Sequence, residues 1–135
     1  MLRHLYKLPA ILYSILIFYL SSLPQRDLPP IHIFGFDKIV HSIEYLLYGM
    51  TLMLAYTQSK SSFIFKNAVA FSVFTGLIYA ASDEIHQLFI AGRDCNFWDF
   101  SADAFGVIFG IILFSKIVKY DNPDDEVLYQ QIYHK

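Results

Sequence analysis

Charged residues are sparse in this chain, and most of those with chemical potential fall into two stretches. "DKIVHSIEYLLYG", Asp37 to Gly49, supplies Asp37, Lys38 and His41. "SDEIHQLFIAGRDCNFWDFSAD", Ser82 to Asp103, supplies Asp83, Glu84, His86, Gln87, Arg93, Asp94, Asp99 and Asp103. Carboxylates crowded beside a histidine have their proton affinities pushed apart, which is what acid–base catalysis requires, and His41 or Glu84 would be the acid or base. An arginine in the glycine-containing loop "IAGRDCNF" can grip a phosphate or carboxylate with two parallel hydrogen bonds, with Lys38 as a second cation. The competing reading of Arg93 is a salt bridge to Asp99 or Asp103. Asp83, Glu84, His86 and His41 are metal-ligand residue types, but the spacings H-x-x-x-H and H-E-x-x-H are missing. No metal ligand set and no cofactor are therefore assigned, and a hydrogen-bonded helix end accounts for His86 taken alone. Cys95 sits beside Asp94 without a base or a positive setting, and Ser42, Ser82 and Ser101 belong to no nucleophile motif.

The elements that must position these residues are apolar. The chain is 56% hydrophobic and 16% charged, with 13 Phe and 10 Tyr among 135 residues, and its mean hydropathy is +0.42. A soluble domain ordinarily carries about 25% charged residues, so this composition is built for a bilayer. One cysteine makes no intramolecular disulfide. Net charge is near zero, with no basic patch interleaved with aromatics, which excludes nucleic acid as a partner.

Crossing the hydrocarbon takes roughly 20 mostly apolar residues, with about 17 at the short end. Four segments are candidates: 8–23, slightly short but nearly free of charge, 37–56, 63–87 and 98–118. Prolines 24, 29 and 30 end the first, and "TQSKSS" makes a polar turn after the second. Arg3 and Lys7 precede the first segment as they would in a signal peptide, but no small-x-small cleavage site follows, so it reads as a retained span. The expected fold is all-α, an integral membrane bundle of four transmembrane helices in residues 1–118, followed by a polar acidic tail in 119–135. Lys and Arg counts set the orientation. The side of the termini holds Arg3, Lys7, Lys60, Lys66, Lys116, Lys119 and Lys135, and the other side holds Arg26, Lys38 and Arg93. Both termini, with the tail, are thus expected in the cytoplasm, and the charged ends of three helices at the outer face.

At about 100° per residue, each helix has one polar stripe. Asp99, Asp103, Gly106 and Gly110 share a face on the last helix, where the glycines form a seam for close backbone approach. Asp37, His41, Glu44, Tyr45 and Tyr48 share a face on the second. On the third, Asp83, His86, Gln87 and Tyr79 align with Ser72 and Gly76, while Glu84 lies about a quarter turn away. Ionisable groups in a span cost several kcal/mol each when unpaired at the centre, so these stripes are expected to face inward.

These motifs, in this order, resemble the VanZ-like family of small bacterial membrane proteins. The family's pattern reads D-K-x-x-H with a later Tyr and Gly, then D-E-x-x-Q, a loop ending in G-R, and D-x-x-x-[DN]-x-x-G-x-x-x-G. The matching positions are Asp37, Lys38, His41, Tyr45, Gly49, Asp83, Glu84, Gln87, Gly92, Arg93, Asp99, Asp103, Gly106 and Gly110, and the likeness covers residues 14 to 118. Ala91 departs from a frequent Pro, and Asp103 from a frequent Asn. The resemblance implies a bacterial inner-membrane location and a link to resistance against the glycopeptide teicoplanin, with which the family's namesake is associated. It does not name a reaction.

Three functions follow as expectations. In the first, Arg93 and Lys38 hold the anionic headgroup of a cell-envelope lipid or cell-wall precursor, with Asp37, Asp83, Glu84, Asp99 and Asp103 positioning them and His41 and Gln87 donating hydrogen bonds. In the second, the same pocket is an enzyme that uses His41 or Glu84 for transfer or hydrolysis on a lipid-linked substrate. In the third, the polar network only locks the helices of a structural subunit.

Overall fold

The structure, a computed structural model, describes residues 3–27 and 35–120. Pro29, Pro30 and most of the acidic tail expected in 119–135 lie outside the described residues. A short 3-10 turn, Arg3–Lys7, leads into α1, Leu8–Ser21. Pro9 sits in the first turn of α1, where a missing N–H costs nothing. The helix closes at Ser22, ahead of Pro24. Helix α2, Phe36–Thr57, starts after Gly35, whose φ of 77° lies in the left-handed region. Helix α3 is the short Ser62–Lys66, capped by the Ser61 hydroxyl, which accepts from the Ile64 N–H at 3.4 Å. Helix α4 is Ala68–Gln87 and α5 is Phe97–Ile117.

The third apolar segment, expected as one helix over 63–87, is divided at Asn67. Asn67 has φ −109° and ψ 20°, and its side-chain amide donates to the Phe63 carbonyl at 2.8 Å. An amide that bonds the preceding turn competes with the backbone for the same acceptor and favours a helix boundary. Helices α4 and α5 are long and apolar enough to cross a membrane. The apolar helix ending at Ser21 is shorter, and the polar residues of α2 keep that 22-residue helix below the same mark.

Specific contacts fix the directions of the helices. Lys38 with Asp99, His41 with Asp103 and Ser42 with Ala102 form successive rungs, so α2 and α5 run parallel. The Tyr56 and Thr75 hydroxyls meet at 2.8 Å while the Tyr48 ring packs at a tilt against Tyr79, so α4 runs antiparallel to α2. Ser14 with Tyr79 and Ser22 with His86 set α1 parallel to α4. The end of α1, the start of α2, the end of α4 and the start of α5 therefore meet at one end of the bundle.

Helix α2 is central and packs most extensively on α5. Glycines make that crossing close. A Cβ at Gly106 would overlap the Ser42 carbonyl oxygen, and one at Gly110 the Leu46 carbonyl oxygen. From the other side, a Cβ at Gly49 would lie 2.5 Å from the Val107 carbonyl oxygen. The interior holds Tyr45, Tyr48, Met53, Val107 and Ile111 together with Asp83, Glu84, Gln87 and Asp103. Leu12 and Ile15 on α1, Ile43 on α2, Phe74 and Ile78 on α4, and Phe105, Phe109 and Ile112 on α5 face outward. Buried carboxylates beneath an outer face of large apolar side chains depart from the arrangement of a water-soluble domain.

Candidate functional site

The parallel register of α2 and α5 builds the site rung by rung. Lys38 and His41 lie about one turn apart on α2, and Asp99 and Asp103 one turn apart on α5, so the pairs repeat along the crossing. At the rim, Lys38 Nζ lies 2.7 Å from Asp37 and also pairs with Asp99. Asp37 is exposed there. One turn deeper, His41 Nδ1 lies 2.9 Å from Asp103 Oδ1, and the Asp103 side chain is fully buried. Gly106 and Gly110 supply the close approach that brings these two helices within reach.

Helix α4 adds the third wall. Glu84, 3% exposed, accepts the Asn96 backbone N–H on Oε2 at 2.8 Å. The Asn96 side chain in turn accepts from the Trp98 N–H at 3.0 Å and caps α5. Glu84 thus fastens the end of α4 to the start of α5. Asp83 is buried and accepts from Gln87 Nε2 at 3.3 Å within the helix. His86 turns away from the cluster. Its Nε2 lies 3.0 Å from Ser22 Oγ and its ring stacks on Phe18 at 4.7 Å, so it joins α4 to α1.

The loop after α4 carries Arg93. Gln25 N–H donates to the Ala91 carbonyl at 3.2 Å, tying this loop to the segment after α1. Gly92 has φ 78°, and a Cβ there would lie 3.1 Å from Gln25 Cβ, so the turn suits glycine on both counts. Arg93 is half-buried, its Nε has no hydrogen-bond partner, and no carboxylate is within ion-pair distance of it, all among the described residues. Neither Asp99 nor Asp103 takes it. Asp94 and Cys95 are exposed at the loop tip.

The structure brings His41, Glu84 and Asp103 together: one ligating atom from each lies within 4.8 Å of the others. Several buried oxygens here lack a hydrogen-bond partner among the described residues, namely Glu84 Oε1, Asp103 Oδ2, Glu44 Oε1 and the Tyr45 hydroxyl. Folded proteins leave few such atoms. Glu44 is a site residue that the sequence motifs alone pass over. Its position three residues after His41 on the polar face of α2 is the signal that points to it. Asn96 is a second such residue, marked by its place just before an apolar run. Below the carboxylates lies a tyrosine layer, in which Tyr79 donates to the Ser14 carbonyl at 2.5 Å and Ser14 Oγ donates to the Tyr48 hydroxyl at 3.0 Å.

No curated protein and no solved structure matches the chain. A family model described as VanZ/LLP1 matches residues 3–119, which include all five helices and every residue of the polar end. The chain therefore belongs to this VanZ-like family.

Proposed function

We propose that the protein is a four-span bacterial inner-membrane protein, both termini cytoplasmic, whose extracytoplasmic polar pocket engages the anionic headgroup of a cell-envelope lipid or lipid-linked cell-wall precursor. Membrane residence draws support from the family match, the two helices of spanning length, the apolar exterior and the alternating directions of α1, α2, α4 and α5. The observation that carries the headgroup reading is Arg93. Lys38 is committed to Asp37 and Asp99, and His41 to Asp103. Among the described lysines and arginines of the polar end, Arg93 alone faces no carboxylate within ion-pair distance, and a half-buried guanidinium in that state is a receptor for phosphate or carboxylate. A link to teicoplanin resistance belongs to this reading as a consequence of holding a cell-wall precursor.

Native mass spectrometry of the purified protein beside Arg93→Ala tests it. The wild type should retain an anionic lipid that the variant loses, with the two proteins unfolding at the same temperature. Equal retention would overturn the reading. A variant that keeps its lipid but unfolds sooner would favour the purely structural role.

A second reading rests on the His41–Asp103 pair. A buried carboxylate that holds an imidazole in one orientation is the arrangement that makes histidine an effective base. With Glu84 beside it, the pocket would perform acid–base transfer or hydrolysis on the same lipid-linked class. His41→Gln should then abolish product formation while lipid retention persists; turnover at the wild-type rate would exclude it.

A further inference from the structure

Carboxylates outnumber cations in the pocket. Glu44, Asp83, Glu84, Asp99 and Asp103 converge from three helices, against Lys38, His41 and Arg93. Asp99 is answered by Lys38, and Asp83 by an amide. For Glu84 and Asp103 the account does not close. Both are more than nine-tenths buried, and each turns one oxygen, Oε1 and Oδ2, to no partner among the described residues. Buried like charges in this state call for a counter-charge. The imidazole of His41 completes a set of one nitrogen and two oxygen donors with ligating atoms within 4.8 Å of one another.

We propose that His41, Glu84 and Asp103 bind a divalent transition-metal ion, with zinc as its best-suited representative. Mixed imidazole and carboxylate donors suit zinc and its first-row neighbours better than magnesium or calcium, which prefer oxygen alone. Nitrogen and oxygen ligands sit about 2.0–2.2 Å from zinc, hence about 3–3.5 Å from each other, a closure within reach of side-chain rotation. Three protein ligands leave a coordination position open, as in sites that polarise a bound oxygen. The ligands come from α2, α4 and α5, so the ion would also fasten three helices. The spacing of His86 after Asp83 offers no such site, because His86 is turned to Ser22 and Phe18. The inference stands apart from the headgroup reading of Arg93, and its readouts are separate: metal content here, lipid retention there.

The test uses the full chain purified in detergent, stripped with a chelator, then titrated with Zn²⁺ and, in parallel, with Co²⁺. The expected result is one Zn²⁺ per chain, a rise in unfolding temperature on binding, and visible Co²⁺ absorption bands displaced by Zn²⁺. Glu84→Gln and Asp103→Asn, which keep side-chain shape, should each weaken Zn²⁺ binding at least tenfold, and His86→Gln should leave it unchanged. Absence of stoichiometric binding and of Co²⁺ bands in the wild type would overturn the proposal without recourse to any variant. So would Zn²⁺ affinity that survives both carboxylate substitutions, which would trace binding to other residues of the chain.

Discussion

Glu84 has two functions that a glutamine only half replaces. Its Oε2 receives the Asn96 N–H, and its carboxylate lies within 4.8 Å of the ligating atoms of His41 and Asp103. Gln keeps an acceptor for Asn96 and removes the charge, whereas Ala removes both. In the chelator-stripped protein, Glu84→Gln should therefore unfold at or above the wild-type temperature. Glu84→Ala should lose about 1–3 kcal/mol through the unpaired N–H at the start of α5. Thermal unfolding in detergent reads the difference, and a glutamine variant as unstable as the alanine one would contradict this division. His86 belongs to the packing of α1, so His86→Ala should lower stability by about 1–2 kcal/mol, the size of a hydrogen bond and a ring contact. Lipid retention should survive that change. The motif residues were legible in the sequence because charge in an apolar chain is conspicuous. Their partners were not. Asp83 and His86 share a helical face, yet one points into the cluster and the other to α1, since face arithmetic on one helix leaves open which neighbour each flank of the stripe meets.

At the scale of the elements, the α2–α5 crossing is set by the glycines. A methyl group at Gly106 or Gly110 meets backbone carbonyl oxygen, which has no rotamer with which to move aside. Gly106→Ala and Gly110→Ala should each cost about 1–3 kcal/mol by forcing the helices apart. They should also weaken the pocket, because the Lys38–Asp99 and His41–Asp103 rungs depend on the same spacing. Thermal unfolding with lipid retention measured on the same samples checks both effects; alanine variants of wild-type stability would show that the crossing is looser. The seam was readable as Gly-x-x-x-Gly one and two turns below Asp103, and the extents of α2 and α5 as the apolar segments 37–56 and 98–118, each end within one residue of Phe36–Thr57 and Phe97–Ile117. The break at Asn67 was not readable from hydropathy, because it arises from one side-chain amide bonding the previous turn inside an otherwise continuous apolar stretch.

For the molecule as a whole, the proposed topology, which rests on the Lys and Arg counts, puts the loop of Arg93 outside. Cys95, the one cysteine and exposed at that loop, is a native reporter of the arrangement. A membrane-impermeant maleimide should label it in intact spheroplasts, and labelling that requires lysis would reverse the orientation. That charged residues of three helices gather at one end was legible from their placement; which of their atoms stay unpaired after folding, such as Arg93 Nε and Glu84 Oε1, was not. The most direct measurement titrates the delipidated protein with short-chain lipids that share their acyl chains and differ only in headgroup, phosphate-bearing against uncharged diacylglycerol, followed through the fluorescence of Trp98 beside Asp99. Binding of the phosphate-bearing lipid at least tenfold tighter, with the preference abolished in Arg93→Ala, is the result expected of a headgroup site. Equal affinity for the two lipids would contradict it.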